Sequence, residues 1–147
     1  MRTTAIVAFV ILLLTQCNGN NRDVAPPSVA GLVGTWELVE PGSAYAITFV
    51  LALDTANPPK DVIHFVANGK SVNNTYNASL SAAVDGLMVV TSLGSTKIGG
   101  SPEATTVEQT YYTNLRAVVR YELSADNRLR LHYGGNNPGV LVYKKIG

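Results

Sequence analysis

The residues able to do chemistry in this chain are few and scattered. His64 and His132 are its only histidines. A zinc site needs His, Cys or carboxylate ligands at short, fixed spacings, and neither histidine has such a companion. His64 stands between Ile63 and Phe65, and His132 between Leu131 and Tyr133. In a strand, that alternation turns each imidazole to the face opposite its neighbours, so both are expected as solvent-facing strand residues. Glu37 and Glu40 flank the end of an expected strand, while Glu103 and Glu108 suit a helix start, where the dipole favours negative charge. No two carboxylates declare themselves as an acid and base pair. The glycines of Ile98-Gly99-Gly100-Ser101-Pro102-Glu103 precede a helix start, where free amides can hold an anion. No lysine-bearing phosphate loop surrounds them, so the stretch is read as a loop that turns the chain. There is no Gly-x-Ser-x-Gly elbow either. No catalytic residue, metal or cofactor is expected.

The single cysteine, Cys17, carries a different kind of chemistry. It follows one positive charge, Arg2, and an unbroken apolar run from Ala5 to Leu14. That order is the layout of a secretory signal, and the run falls short of the roughly 20 apolar residues a spanning helix needs. Leu14-Thr15-Gln16-Cys17 resembles the bacterial lipobox, in which a leucine three places before the cysteine guides lipidation and cleavage. Gln16 departs from the small residue usual there, and the alternative is an ordinary signal peptide with an incidental cysteine. The expectation is a signal peptide over 1–16 and lipidation of Cys17. Each buried methylene contributes about 0.8 kcal/mol, so several acyl chains make a durable anchor. Residues 17–30 then read as lipidated cysteine and tether, since Asn18 to Pro27 has almost nothing to bury. The expected partner is a membrane, reached through the lipid on Cys17 at the bacterial envelope, most simply the outer membrane facing the periplasm. A protein partner there is left open.

What remains, 31–147, has the size of one ordinary domain with one core. Basic and acidic residues number 11 and 10, equal once Arg2 is set aside. That balance gives no footprint for nucleic acid. With no second cysteine, no disulfide can form within the chain, and the fold must stand on its core.

The elements that must position these residues are mostly strands, legible from alternation and β-branched content. Strands are expected at Thr35–Val39, Tyr45–Leu53, Val62–Ala67, Tyr76–Val84, Leu87–Leu93, Ala117–Leu123, Leu129–Tyr133 and Val140–Lys145. Asn68-Gly69 and Asp85-Gly86 read as tight turns. Trp36 shares a face with Leu38 and is expected as a core anchor. Between the fifth and sixth strands the period becomes helical. Ala104, Val107, Tyr111, Leu115 and Val118 form one stripe, and a helix is expected near residues 102–116. It starts either at Ser101-Pro102 or at a capping box, Thr105-x-x-Glu108. Tyr111 and Tyr112 sit side by side, so one of them should face the sheet and the other lie near the flank. Tyr121, Tyr133 and Tyr143, on consecutive strands, are candidates for stacking across them. The fold class is mainly β (α+β): a strongly curved antiparallel sheet or partly open barrel of about seven or eight strands, with one helix packed on it.

This order of features resembles the META/HslJ-like domain over nearly the whole of Leu32 to Lys144. "LVGTWELVE" is similar to the family's opening at Leu32, Gly34 and Trp36. "VNNTYNASL" resembles its Gly-Cys-Asn-x-aromatic-x-Gly segment, with Asn74 at the asparagine, Tyr76 at the aromatic and Asn73 where the cysteine would be. "STKIGGSPEATTVEQTYYTNL" is similar to its Thr-Arg-Met-x-Cys loop and helix. There Thr96, Lys97 and Ile98 fit, Glu108 matches the helix glutamate, Tyr112 and Leu115 fit apolar positions, and Gly100 stands at the second cysteine. With both cysteine positions empty, no redox role carries over. The resemblance implies a small β-rich envelope protein with loose ties to heat shock and antibiotic tolerance, and it implies no reaction. Structural roles are expected for Trp36, Asn74, Tyr111 and Leu115. "GTWEL" also resembles the opening strand of lipocalin-like barrels, which carry apolar ligands in a closed cup. The expected function is therefore a non-enzymatic binding or stress-related module of unknown ligand, with a lipocalin-like carrier as the alternative. Asn73-Asn74-Thr75 and Asn77-Ala78-Ser79 fit the N-glycan acceptor pattern, and Asp54-Thr55-Ala56 resembles an O-glycan site of some Bacteroidota.

Overall fold

The computed structural model describes residues 27–58 and 62–147. The expected signal peptide, Cys17 and most of the tether lie outside the described residues. After a short helix α1 (Pro27–Ala30) come strands β1 (Gly34–Glu40), β2 (Thr48–Leu53), β3 (Ile63–Lys70), β4 (Thr75–Ala82) and β5 (Met88–Ser95). Helix α2 (Pro102–Arg116) follows, and then β6 (Val118–Leu123), β7 (Arg128–Tyr133) and β8 (Gly139–Lys145). All eight strands form one antiparallel sheet in the order β5-β4-β3-β2-β1-β8-β7-β6.

The two end strands nearly meet. Leu87 bridges to Arg120, and the Tyr121 amide donates to the Gly86 carbonyl at 2.8 Å. The Tyr121 hydroxyl also donates to the Ala83 carbonyl at 2.8 Å. The sheet is therefore an almost closed barrel with a single seam between β5 and β6.

Side-chain alternation fills the interior. Trp36, Phe49, Leu51, Phe65, Leu80, Leu129, Leu131 and Tyr143 are all buried in one cluster. Trp36 is fully buried, as expected of a core anchor, and its indole N–H donates to the Leu32 carbonyl at 2.9 Å. Val29, in the stretch read from sequence as tether, belongs to the same core.

The Asn68-Gly69 turn is not there. β3 runs on to Lys70, with Asn68 paired to Asn77 and Gly69 to Tyr76. The glycine serves a close approach instead, because a Cβ at position 69 would collide with the Thr48 carbonyl. The chain turns later, where the Ser71 amide donates to the Asn74 carbonyl at 2.8 Å. Asp85-Gly86 does turn, with Gly86 at φ +90°.

Of the two possible helix starts, Ser101-Pro102 is used. The Ser101 hydroxyl accepts from the Ala104 amide at 3.2 Å, and Pro102 takes the first turn. Thr105 already lies inside the helix, so Glu108 cannot complete a capping box and turns inward. Ala104, Tyr111 and Leu115 of the expected stripe are buried and Val107 is half-buried, while Val118 has passed into β6. Tyr112 is buried as well, so neither of the paired tyrosines lies at the flank. Tyr121, Tyr133 and Tyr143 do not stack across the sheet. Tyr121 lies opposite Leu131, Tyr143 opposite Leu129, and Tyr133 opposite Val118 and Gly139. Tyr143 packs on Phe49 instead, with ring centres 5.5 Å apart.

Candidate functional site

Two clusters of polar contacts tie the buried face of helix α2 to the barrel. The first is inside the lumen. The Tyr111 hydroxyl lies 2.7 Å from that of Tyr76 on β4 and 3.1 Å from that of Tyr143 on β8. The Tyr76 hydroxyl donates to the Thr48 carbonyl at 2.7 Å. A hydroxyl has one proton to give. Tyr76 spends its proton on Thr48, so it accepts from Tyr111, and Tyr111 accepts from Tyr143. The result is a one-way chain of donors across the barrel. Desolvation pushes all these phenols up, Tyr111 to about 12 and Tyr76 and Tyr143 well above the ordinary value. Tyr76 and Tyr111 meet edge-on at 5.7 Å, as do Tyr76 and Tyr112.

The second contact is at the rim. Glu108 is 3 % exposed, and its carboxylate grips the β3–β4 turn. Oε1 accepts from the amides of Asn73 at 3.1 Å and Asn74 at 3.0 Å, and from the Ser71 hydroxyl. Oε2 accepts from the Asn74 side-chain amide at 2.5 Å. The Asn74 Oδ1 in turn accepts from the Thr96 hydroxyl and the Ile98 amide, both at 2.7 Å. The Tyr112 hydroxyl sits 2.6 Å from that of Ser71. Burial alone would raise the Glu108 carboxyl, but the bonds from Ser71 and Asn74 and from the two amides outweigh it and hold it below the usual carboxylate range. One asparagine and one glutamate thus tie the β3–β4 turn, the β5–α2 loop and the helix together.

Beside this latch, Asn73 lies against Gly100. A Cβ on Gly100 would run into the Asn73 amide, and the Asn73 Nδ2 is buried with no hydrogen-bond partner. The two positions that the family resemblance equates with cysteines are therefore neighbours in space.

The structure places the remaining candidates apart. The His64 Nδ1 bonds the Ser81 hydroxyl at 2.9 Å on the outer face, and the His132 Nε2 lies 3.3 Å from Glu122. Glu37 pairs with Lys144 at 3.3 Å. Among the described residues, no group of three or more His, Cys, Asp or Glu is arranged to hold a metal, and no helix is long and apolar enough to cross a membrane. Of the possible glycan acceptors, Thr55 and Asn77 are exposed, whereas Asn73 is half-buried with its amide nitrogen covered. Sequence reasoning found Asn74, Tyr111 and Leu115 and matched Glu108 to the family's helix glutamate, but it read Glu108 as serving the helix start through the dipole or a capping box, and gave Ser71 no role. The spacing Ser71-x-x-Asn74 at a strand end was the available signal.

Among the described residues three concavities border the helix, one of them an open groove of about 550 Å³ between the helix and Tyr133 and Asn137. A cleft of about 220 Å³ opens between the β1–β2 loop and α2, lined by Leu38, Pro41, Ile47, Val107, Tyr111 and Leu141 among others. A groove of about 460 Å³ lies on the other side, above the Glu108 latch.

The META domain model matches residues 31–145. A solved structure with a similar fold, an NMR structure of a protein from Burkholderia xenovorans, is 20 % identical in sequence. The match covers 87 % of this chain and 96 % of that one at a TM-score of 0.55. No curated protein sequence matches the chain.

Proposed function

The chain belongs to the META domain family, and from that premise we propose that it is a non-enzymatic module of the bacterial envelope, held to the membrane by lipid on Cys17. The observation that carries this reading is the filled lumen. Where a carrier barrel keeps space for its ligand, this one holds Tyr111, Leu115 and Ala104 of its own helix. Sites for drug-sized ligands occupy roughly 300–1,000 Å³, and the cleft at the barrel mouth is about 220 Å³. Recognition then falls to the rim and the outer surface. The His64 ring does stand 2.9 Å from the Ser81 hydroxyl, but the pair sits across two neighbouring strands, outside the concavities described above, which supports a binding role over catalysis. Ser71 does touch a carboxylate, yet it is 1 % exposed and locked into the latch.

The mostly apolar cleft favours a second reading, a carrier of a small apolar ligand. The two readings part in a titration of the full chain with fatty acids and apolar dyes. A plugged barrel gives no stoichiometric binding, and saturable micromolar binding of one probe per chain moves the carrier into first place. The anchor is tested separately. Intact mass should show acyl chains on an N-terminal Cys17, and Cys17→Ser should release the protein from the membrane fraction. An unmodified N-terminus beginning at another residue sinks the lipoprotein reading.

A further inference from the structure

The groove above the latch has a chemistry of its own. One wall is the end of β5 and the loop after it, Ser95 to Gly99. The other is a helix stripe of Thr105, Glu108, Gln109, Tyr112 and Arg116. Three- and four-residue steps put that stripe on a single face. Two cations, Lys97 and Arg116, line the groove from opposite walls, and both are exposed. Neither is in an ion pair among the described residues, where the pairs join Arg128 to Asp126, His132 to Glu122 and Lys144 to Glu37. Among the described residues the Arg116 guanidinium makes one hydrogen bond, a long one, 3.5 Å from Nη2 to the Leu93 carbonyl. Glu108 lines the same groove but forms an ion pair with neither, because its oxygens are bonded to Ser71, Asn73 and Asn74.

We propose that this groove binds a small polar ligand carrying an anionic group, with Arg116 and Lys97 clamping the anion and Gln109 and Thr105 facing the ligand's hydroxyls. A guanidinium offers a planar fork suited to carboxylate or phosphate, and an ammonium on the opposite wall completes the charge. Gln109 and Thr105 are exposed and make no side-chain hydrogen bond within the described residues, so they are free to turn to a ligand. The floor is fixed by the latch, so the two walls keep their spacing before a ligand arrives, which lowers the ordering cost of binding. The assignment rests on the reading of the chain as a binding module and gives that module a ligand class. It fails separately, since dye titration and fractionation do not touch the groove.

The test is a titration of the full chain in detergent with glucuronate, inorganic phosphate and neutral glucose, followed by calorimetry and amide chemical shifts. Saturable binding of an anion with shifts centred on 97–100 and Arg116 is the expected result. Glucuronate binding more tightly than phosphate assigns an acidic sugar, and the reverse order assigns a phosphate ester. Lys97→Gln with Arg116→Gln should weaken binding at least ten-fold, while Arg128→Gln, away from the groove, leaves it unchanged. If the double variant does not fold, Lys97→Gln alone, on an exposed loop, should still weaken it several-fold. No saturable response, an equal response to glucose, or anion binding that survives the loss of Lys97 and Arg116 overturns the proposal.

Discussion

Glu108 and Tyr111 lie within one turn of the same helix, and both are almost wholly buried, yet the barrel holds them by opposite means. Tyr111 enters an apolar lumen and satisfies a neutral hydroxyl with two others. Glu108 enters the rim as a charge and is satisfied mainly by backbone and amide N–H groups of one turn. A hydroxyl can be buried for the cost of one or two bonds, whereas a carboxylate needs nearly all its lone pairs met. The lumen contact can therefore be made by strands far apart in sequence. The rim contact needs a tight turn whose amides converge.

The sharpest way to break the comparison is to empty the lumen. Tyr111→Ala removes a large aromatic from the middle of the core and should cost about 3–5 kcal/mol, with Leu115→Ala at about 2–5 kcal/mol. Trp36→Ala should match Tyr111→Ala, since the indole is fully buried against the same cluster. Urea unfolding checks all three. A loss below about 1 kcal/mol for Tyr111→Ala would mean that the helix is not a plug.

Next in size, the rim can be tightened. Asn73 and Gly100 touch, and the Asn73 amide nitrogen finds no partner there. Replacing both with cysteine should allow a disulfide that joins the β3–β4 turn to the β5–α2 loop and adds about 2–4 kcal/mol. Thiol titration and the melting temperature with and without reductant report it. Free thiols after mild oxidation would show that the two positions do not face each other.

Glu108→Gln probes the same rim without a covalent bond. The new amide presents N–H groups to a site built from donors, at a cost of about 1–3 kcal/mol. It should also change the pH profile. The Glu108 carboxyl sits below its ordinary value in the fold, so its stabilisation is complete above the unfolded value and is lost as pH falls through the folded one. Glu108→Gln should flatten the acid arm of stability against pH. The lumen answers at the other end. Tyr111 is raised to about 12, so the fold favours its neutral form. Stability from that source is full below about pH 10 and falls as pH rises toward 12. If Glu108→Gln leaves the acid arm unchanged, the carboxylate is not what the rim depends on.

The two regions were not equally legible in the sequence. Alternation gave the strands, and a three-four step gave the helix and its buried Ala104, Tyr111 and Leu115, because periodicity records which face is apolar. The same signal was blind to the rim. Glu108 and Asn74 are polar, so periodicity assigns them to solvent, and only the family resemblance marked both. Asn68-Gly69 misled because the pair is a strong local turn signal, whereas the glycine here answers to the Thr48 carbonyl on a neighbouring strand. Helix geometry alone sends one of the adjacent Tyr111 and Tyr112 to the flank, yet Tyr112 is buried beside Tyr111. The turn that carries Ser71 reaches over the helix and covers Tyr112, a contact between residues distant in sequence. The unpaired cations Lys97 and Arg116 could not be matched until the fold put them across one groove.

The smallest expected effect is the most discriminating, because it reads the direction of the hydroxyl chain. Tyr143 gives its proton to Tyr111, and its hydroxyl has no other hydrogen-bond partner among the described residues. Removing its oxygen in Tyr143→Phe leaves Tyr111 with an unused lone pair and still able to donate to Tyr76, so the loss should be about 0.5–1.5 kcal/mol. Tyr76→Phe is a different cut. It takes away the acceptor for the Tyr111 proton and the donor to the Thr48 carbonyl together. Tyr111 could recover by turning its proton toward Tyr143, but Tyr143 would then have to give up its own bond to Tyr111. One buried proton is stranded either way, and an unsatisfied buried donor costs about 1–3 kcal/mol. Tyr76→Phe should therefore be the more damaging of the two, although each variant deletes one oxygen atom from the same core. Guanidinium unfolding of the pair, with Tyr111→Phe alongside, measures the order. Equal losses, or a greater loss in Tyr143→Phe, would show that the protons run the other way or that Thr48 is not the acceptor that sets them.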